Sequence, residues 1–301
     1  MERQKVAVLM ATYNSEAYMR CQIDSILAQK DVEVSLLVRD DGSTKDKTLD
    51  VLREYADRGL LRWYTGDNLK SARCFLQLLR DAPQSDYYTF SDHDDYWMPE
   101  KLSVAVNAIR DAGTTPALYL CQPQNADNDL NPLPNKLFRP YGGFAESLIY
   151  GFAMGCTMLM NNAMRDIVNS YIPDFLYMHD VWIYSLAYAV GARVVWDQHP
   201  HTLNRQHGDN VVGLGQNRWY MVKRRLKRFL AGEEIRYCQA KEIQQAAFEI
   251  MPEENHIVLE QFLQAKHNLS KRLRLMFNPK FRCSDRTTQY LFWINLLFNK
   301  Y

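Results

Sequence analysis

The stretch Tyr87–Pro99, YYTFSDHDDYWMP, places three carboxylates, Asp92, Asp94 and Asp95, at the end of an apolar run. Like charges this close repel one another, and burial raises the cost of keeping them ionised. A cation relieves both. Oxygen ligands at this spacing suit a hard divalent ion, Mg²⁺ or Mn²⁺, with positions left open for a ligand's phosphates. Such an ion neutralises a diphosphate leaving group. The competing reading is a turn capped by Asp92, with Asp94 and Asp95 solvated. Asp40-Asp41-Gly42-Ser43 either accepts hydrogen bonds from a nucleobase or ribose, or makes an ordinary Asp-Gly turn. In Thr12-Tyr13-Asn14 the tyrosine is either core packing or a platform for a base.

The elements around these clusters read as an alternation of strands and helices. KVAVLMA (5–11) is a buried strand ending at Thr12, and 32–44 is a second β-branched run that stops at two aspartates and a glycine. A third strand is expected at Leu60–Tyr64, a fourth at Tyr87–Ser91 and others at Ala117–Cys121 and Ala192–Trp196. Apolar spacing predicts helices over Glu16–Gln29, Lys45–Ala56, Ala72–Arg80 and Tyr177–Ala189, with another opened by Pro99. Residues 122–141 and 203–210 read as loops, and the segment from Gly142 mixes glycines with apolar residues. The fold class is α/β, a doubly wound and largely parallel sheet. Ligands of such sheets bind beyond the carboxyl ends of the strands, where the three polar clusters fall. Neither a GxGxxG after the first strand nor a Walker loop is present.

The bulk properties narrow the class. With 36 basic against 35 acidic residues, no global field favours nucleic acid. Six cysteines, dispersed and without a CxxC pair, fit reduced thiols in a cytoplasmic protein better than a disulfide framework or a zinc site. No apolar run reaches the ~18 residues of a membrane span, so the chain reads as soluble or peripheral. Beyond residue 216 the character changes to long helices, with Arg218, Lys223, Arg224, Arg225, Lys227 and Arg228 crowded together and an apolar run YLFWINLLF at Tyr290–Phe298. This extension is either a solvated charged surface or a peripheral membrane surface on anionic lipid. The expected division is 1–216 for a catalytic domain and 217–301 for a helical extension.

Taken together and in order, MATYN, VRDDGSTKDKT and FSDHDDYWMPEK resemble the inverting family 2 glycosyltransferases, whose nucleotide-sugar-binding fold is GT-A. The resemblance covers roughly residues 4–212. SDHDDYW followed by LNRQHGDN is similar to the bacterial rhamnosyltransferase branch, which acts in cell-surface polysaccharide or O-antigen assembly. The resemblance implies a nucleoside-diphosphate sugar donor, dTDP-rhamnose first and a UDP-hexose second, and a saccharide acceptor that is lipid-linked. It implies that Tyr13 lies against the pyrimidine with the Ala11–Thr12 backbone nearby, that Asp41 bonds the base and that Asp40 supports that loop. Asp92-His93-Asp94 matches the DxD motif, Asp92 and His93 on the nucleotide side and Asp94 at the metal, with Asp95 assisting. His207 in RQHG matches a late histidine of the metal or diphosphate site. GFAMG places Gly151 and Gly155 near the acceptor. His179-Asp180 stands where the family has Glu-Asp, which makes Asp180 the general base and His179 an acceptor-side departure from the pattern. Asp180 also reads as the N-cap of the helix that follows. Two other function classes fit parts of the pattern: a nucleotidyltransferase, which would want a glycine- and lysine-rich phosphate loop near the N-terminus, and a non-catalytic nucleotide-sugar module, which would have little use for three clustered acids.

Overall fold

The computed structural model describes residues 3–135, 137–151, 153–207 and 234–301. One eight-stranded sheet organises them. Its strands are β1 (Gln4–Thr12), β2 (Val32–Asp40), β3 (Arg62–Thr65), β4 (Tyr87–Ser91), β5 (Tyr96–Trp97), β6 (Ala117–Ala126), β7 (Met158–Asn161) and β8 (Arg193–Arg205), in the order β3-β2-β1-β4-β7-β6-β8-β5. β3, β2, β1 and β4 run parallel, as do β6 and β8, while β7 is antiparallel to both its neighbours and β5 to β8. From β1 the chain moves outward to β2 and β3 and then returns to the other side of β1 as β4. This reversal opens a crevice at the carboxyl ends of β1 and β4, the place where α/β sheets bind ligands.

The two-residue period of the central strands loads both faces of the sheet. Ala7 and Leu9 of β1, Leu37 of β2 and Tyr88 and Phe90 of β4 enter one apolar core; Val6, Val8 and Met10, Leu36 and Val38, and Tyr87 enter the other. Strands covered on both sides need continuous apolar runs, and this is why β1 and β4 stand out in the sequence. The second core is closed by α1 (Glu16–Leu27), α2 (Thr48–Asp57) and α4 (Lys101–Ile109). The first is closed by α3 (Lys70–Asp81), α5 (Phe144–Ile149), α6 (Asn162–Asn169) and α7 (His179–Ala189). Four C-terminal helices, α8 (Ile235–Ala247), α9 (Glu253–Ala265), α10 (Leu269–Phe277) and α11 (Arg286–Leu297), contribute Ile243, Phe262, Leu275 and Phe292 to that same core.

Several expectations change. β6 continues to Ala126, so the expected loop over 122–141 begins five residues later. β8 runs on to Arg205 and takes Leu203, Asn204 and Arg205 out of the expected polar loop; Thr202 and Leu203 pair with the short β5 strand. β7 and helices α5 and α6 lie in segments for which no element was expected. Pro99 sits in the turn before α4, which starts at Lys101. The described C-terminal helices span 9–13 residues and are shorter than expected. The basic cluster at 218–228, residues 208–210 of the polar loop and Phe152 of GFAMG lie outside the described residues. All six cysteines are unpaired thiols. Among the described residues no helix is long and apolar enough to cross a membrane.

Candidate active site

The loop after β2 is built around Asp40. Its carboxylate is fully buried and accepts from the backbone N–H of Gly42 (3.1 Å) and Ser43 (2.9 Å), the hydroxyls of Thr65 (2.9 Å) and Thr12 (3.3 Å), and the Ser43 hydroxyl. Gly42 has φ +87°, a conformation other residues adopt only with strain, so the turn is fixed by glycine and by Asp40 together. Asp41 faces the other way. It pairs with the buried Arg39 guanidinium and accepts from the backbone N–H of Leu69 and Lys70, each at 3.0 Å, at the start of α3. Thr12 is buried at the end of β1, Ala11 is partly covered, and Tyr13 follows with 45% of its surface exposed at the mouth of the crevice.

Beyond β4 the carboxylates divide into two groups. Asp94 is bonded to His207, whose Nε2 lies 2.7 Å from its Oδ2. Asp95 lies with Asp92 and the thiol of Cys156, their ligand atoms all within 4.8 Å of one another. Asp95 is completely buried; Oδ1 accepts from Asn204 (3.0 Å), while Oδ2 has no partner among the described residues. Burial, then the charges of Asp95, Asp94 and Asp180, pushes Asp92 well above the ordinary carboxylate range, and burial and then Asp94 push Asp95 up. Acids held this way bind a proton or a cation, and the orphaned Asp95 oxygen is a vacant acceptor. The oxygens of Asp92 and Asp95 therefore fit a hard divalent ion, whereas Asp94 stands apart with His207. Cys156 fits such an ion poorly, because burial and the neighbouring Asp95 charge push its thiol pKa up and keep it protonated. His93 bonds the Ala11 backbone, and burial lowers its pKa.

The base candidate stands at the start of α7. Asp180 is in the helix's first turn, where the N-terminal dipole favours an anion. Its Oδ1 accepts from the Val181 N–H (2.7 Å) and its Oδ2 from the Gly155 N–H (3.2 Å). Burial outweighs these bonds and raises its pKa from 3.8 to about 6. It does not cap the helix: the N-cap position is Met178. His179 is buried between aromatic rings, Phe75 at 4.3 Å between centroids and Phe90 at 5.1 Å, and neither ring nitrogen has a partner among the described residues. Burial pushes its pKa down to about 3, so it is neutral.

Both glycines of GFAMG are explained by this helix. A Cβ on Gly155 would lie 2.3 Å from His179 Nε2, and one on Gly151 would lie 2.4 Å from Val181 Cγ1. The loop is pressed against the first turn of α7, which brings the Gly155 N–H to Asp180. Sequence reasoning missed Cys156, Arg205 and Lys101. Arg205 donates through Nε to the Asp94 carbonyl (2.9 Å) and lies 4.8 Å over the Tyr18 ring. Lys101 is buried with its ammonium 3.5 Å from the Trp97 ring centroid, and its charge is felt by Asp95 and Cys156. A lone cysteine, or a lysine opening a helix, carries no spacing signal. Only Arg205 had one, its place as the first residue of RQHG, a motif already singled out.

A glycosyl transferase family 2 model matches residues 7–167, more than half of the chain, and takes in β1 to α6 with the carboxylate cluster. The chain belongs to glycosyl transferase family 2. It is 28% identical to the dTDP-rhamnosyl transferase RfbG of Shigella flexneri, over 70% of this chain and 80% of that protein. It is 22% identical to the UDP-Glc:alpha-D-GlcNAc-diphosphoundecaprenol beta-1,3-glucosyltransferase WfgD of Escherichia coli, over 61% of this chain and 70% of that one. The fold resembles that of residues 1–349 of TarS from S. aureus in complex with UDP, with a TM-score of 0.58 at 19% identity, covering 98% of this chain and 79% of that one. The mannosyltransferase PcManGT from Pyrobaculum calidifontis, solved with GDP-Man and Mn²⁺, superposes with a TM-score of 0.51 at 16% identity over 100% and 89% of the two chains. The sheet and its helices thus make the GT-A fold, and the protein is a glycosyltransferase.

Proposed function

We propose that the protein is an inverting, metal-dependent transferase that moves rhamnose from dTDP-rhamnose to a hydroxyl of a lipid-linked cell-surface saccharide. The observation that carries the reaction is Asp180, a buried carboxylate with pKa about 6 at the head of α7, near enough to Asp92 for the two charges to interact. An acceptor hydroxyl is a weak nucleophile until a base removes its proton as the new bond forms, and Asp180 has a suitable pKa for that step near neutral pH. One direct displacement inverts the anomeric carbon and needs no enzyme nucleophile. Asp92 and Asp95, with Asp94 beside them, would hold a divalent ion, which would supply positive charge against the departing diphosphate. His207 holds Asp94 in place, and the Gly155 N–H aims Asp180. Tyr13 and the Asp41 loop lie on the nucleotide side, and Gly151, Gly155 and His179 shape the acceptor side.

The choice of donor rests on the name of the Shigella relative. A UDP-hexose is the second reading, supported by the glucosyltransferase name of the Escherichia relative. Domain organisation follows the same reading: residues 1–216 carry catalysis and 217–301 form an extension, in a protein that works in the cytoplasm at the inner face of the membrane. The test is nucleotide release from dTDP-rhamnose, UDP-glucose and UDP-galactose with a lipid-linked saccharide acceptor and Mn²⁺. Release of dTDP above the other donors supports the reading, release of UDP moves it to the hexosyl alternative, and release of diphosphate from a nucleoside triphosphate overturns it in favour of nucleotidyl transfer.

A further inference from the structure

The last two helices each carry an apolar stripe on the side away from the core. On α10 the stripe is Leu269, Leu273 and Phe277, spaced by four and opposite the buried Leu275; Leu269 is 54% and Phe277 72% exposed. On α11 it is Tyr290, Ile294, Leu297 and Phe298, while Gln289, Phe292 and Leu296 face inward. The helices pack on each other, so the stripes belong to one small unit. A single exposed leucine needs no explanation, but two stripes of large side chains on adjoining helices mark a contact surface.

Charge identifies what that surface meets. Residues 269–301 contain seven lysines and arginines against one acid, Asp285. Five of them, Lys271, Arg274, Lys280, Arg282 and Arg286, are exposed, and among the described residues none of the five forms an ion pair. Apolar stripes on helices rich in unpaired cations are the composition of a segment that lies in a membrane interface, its rings at the acyl boundary and its cations at anionic headgroups. The geometry points to α10 and α11 as a docking surface for an anionic lipid bilayer. The peripheral placement proposed above gives this docking its use, since a lipid-linked acceptor lies in the same membrane; the surface itself is argued from α10 and α11 alone.

The test is flotation of the full chain with phosphatidylcholine vesicles and with vesicles containing 30% phosphatidylglycerol. The wild type is expected to float with the anionic vesicles and to stay behind with the neutral ones. Each of Lys271→Gln, Arg274→Gln and Lys280→Gln is expected to lower the partition coefficient about fivefold, the value of one cation near such a surface. The combined stripe variant Phe277→Ser/Ile294→Ser/Leu297→Ser is expected to abolish flotation while melting as the wild type does, since all three side chains are exposed. Wild-type protein that stays behind with anionic vesicles overturns the inference, as does a stripe variant that still floats. Concentration-dependent dimerisation abolished by the stripe variant, without vesicle binding, also overturns it and assigns the surface to a second copy. Donor-nucleotide binding measured on the same samples keeps the two proposals apart: a wild type that binds nucleotide but not vesicles loses only the docking surface.

Discussion

Replacing Asp180 with asparagine should stabilise the protein as it stops the reaction. Burial raises this carboxyl from 3.8 to about 6. At about 1.4 kcal/mol for each tenfold change, the ionised side chain costs the fold about 3 kcal/mol at pH 8. Because the folded pKa is above the unfolded one, stability is complete below pH 3.8 and is lost as pH rises through 6. Asparagine escapes that cost but can satisfy only part of the contact with the Val181 and Gly155 N–H groups, a loss of about 1 kcal/mol. The balance is about 2 kcal/mol in favour of Asp180→Asn at pH 8, or about 4 °C in a protein of this size. The advantage should shrink through pH 6 and be gone by pH 4. Melting curves of metal-free protein across that range, with nucleotide release at pH 8, make the assay. A variant less stable than the wild type at pH 8 would refute the reasoning, because Asp180 would then be a structural residue of α7. So would undiminished transfer.

Three other outcomes follow from the same geometry. Gly155→Ala drives a methyl into His179, which Phe75 and Phe90 hold, and should cost about 1–3 kcal/mol of stability and about 100-fold in kcat through displacement of Asp180. Gly151→Ala, against Val181, should cost similar stability, and calorimetry that finds either alanine variant as stable as the wild type would contradict the packing described. Asp95→Asn removes a buried acid whose pKa is raised, so it should raise the metal-free melting temperature at pH 8, less so at pH 5, and lose most of the stabilisation that Mn²⁺ gives the wild type.

What was legible in the sequence was whatever depends on local pattern. β1 and β4 are near-continuous apolar runs and β2 carries Leu36–Val38 before its polar end, and such runs are forced on central strands with helices on both faces. The carboxylates were legible for the same reason, since they end those strands. β7 was not: Met158–Asn161 is four residues without a β-branched side chain, and its antiparallel pairing with β4 and β6 is set by tertiary structure. The pressing of GFAMG onto α7 was hidden too, because a glycine reports a close approach without naming what approaches. Pairing of Asp94 with His207, and of Asp95 with Asp92 and Cys156, depends on how adjacent residues turn at the end of β4, which spacing does not encode. The exposed stripes of α10 and α11 lie inside apolar stretches that read equally well as core.

In the proposed reaction a divalent ion and a nucleoside diphosphate complete the carboxylate cluster. The most direct test is calorimetric titration of dTDP and UDP into wild type and Asp94→Ala, each with and without Mn²⁺. Wild type is expected to bind one of the two diphosphates at least tenfold more tightly with Mn²⁺, and Asp94→Ala to lose the difference. Nucleotide affinity indifferent to both Mn²⁺ and Asp94, or no binding of either diphosphate, would contradict that reaction.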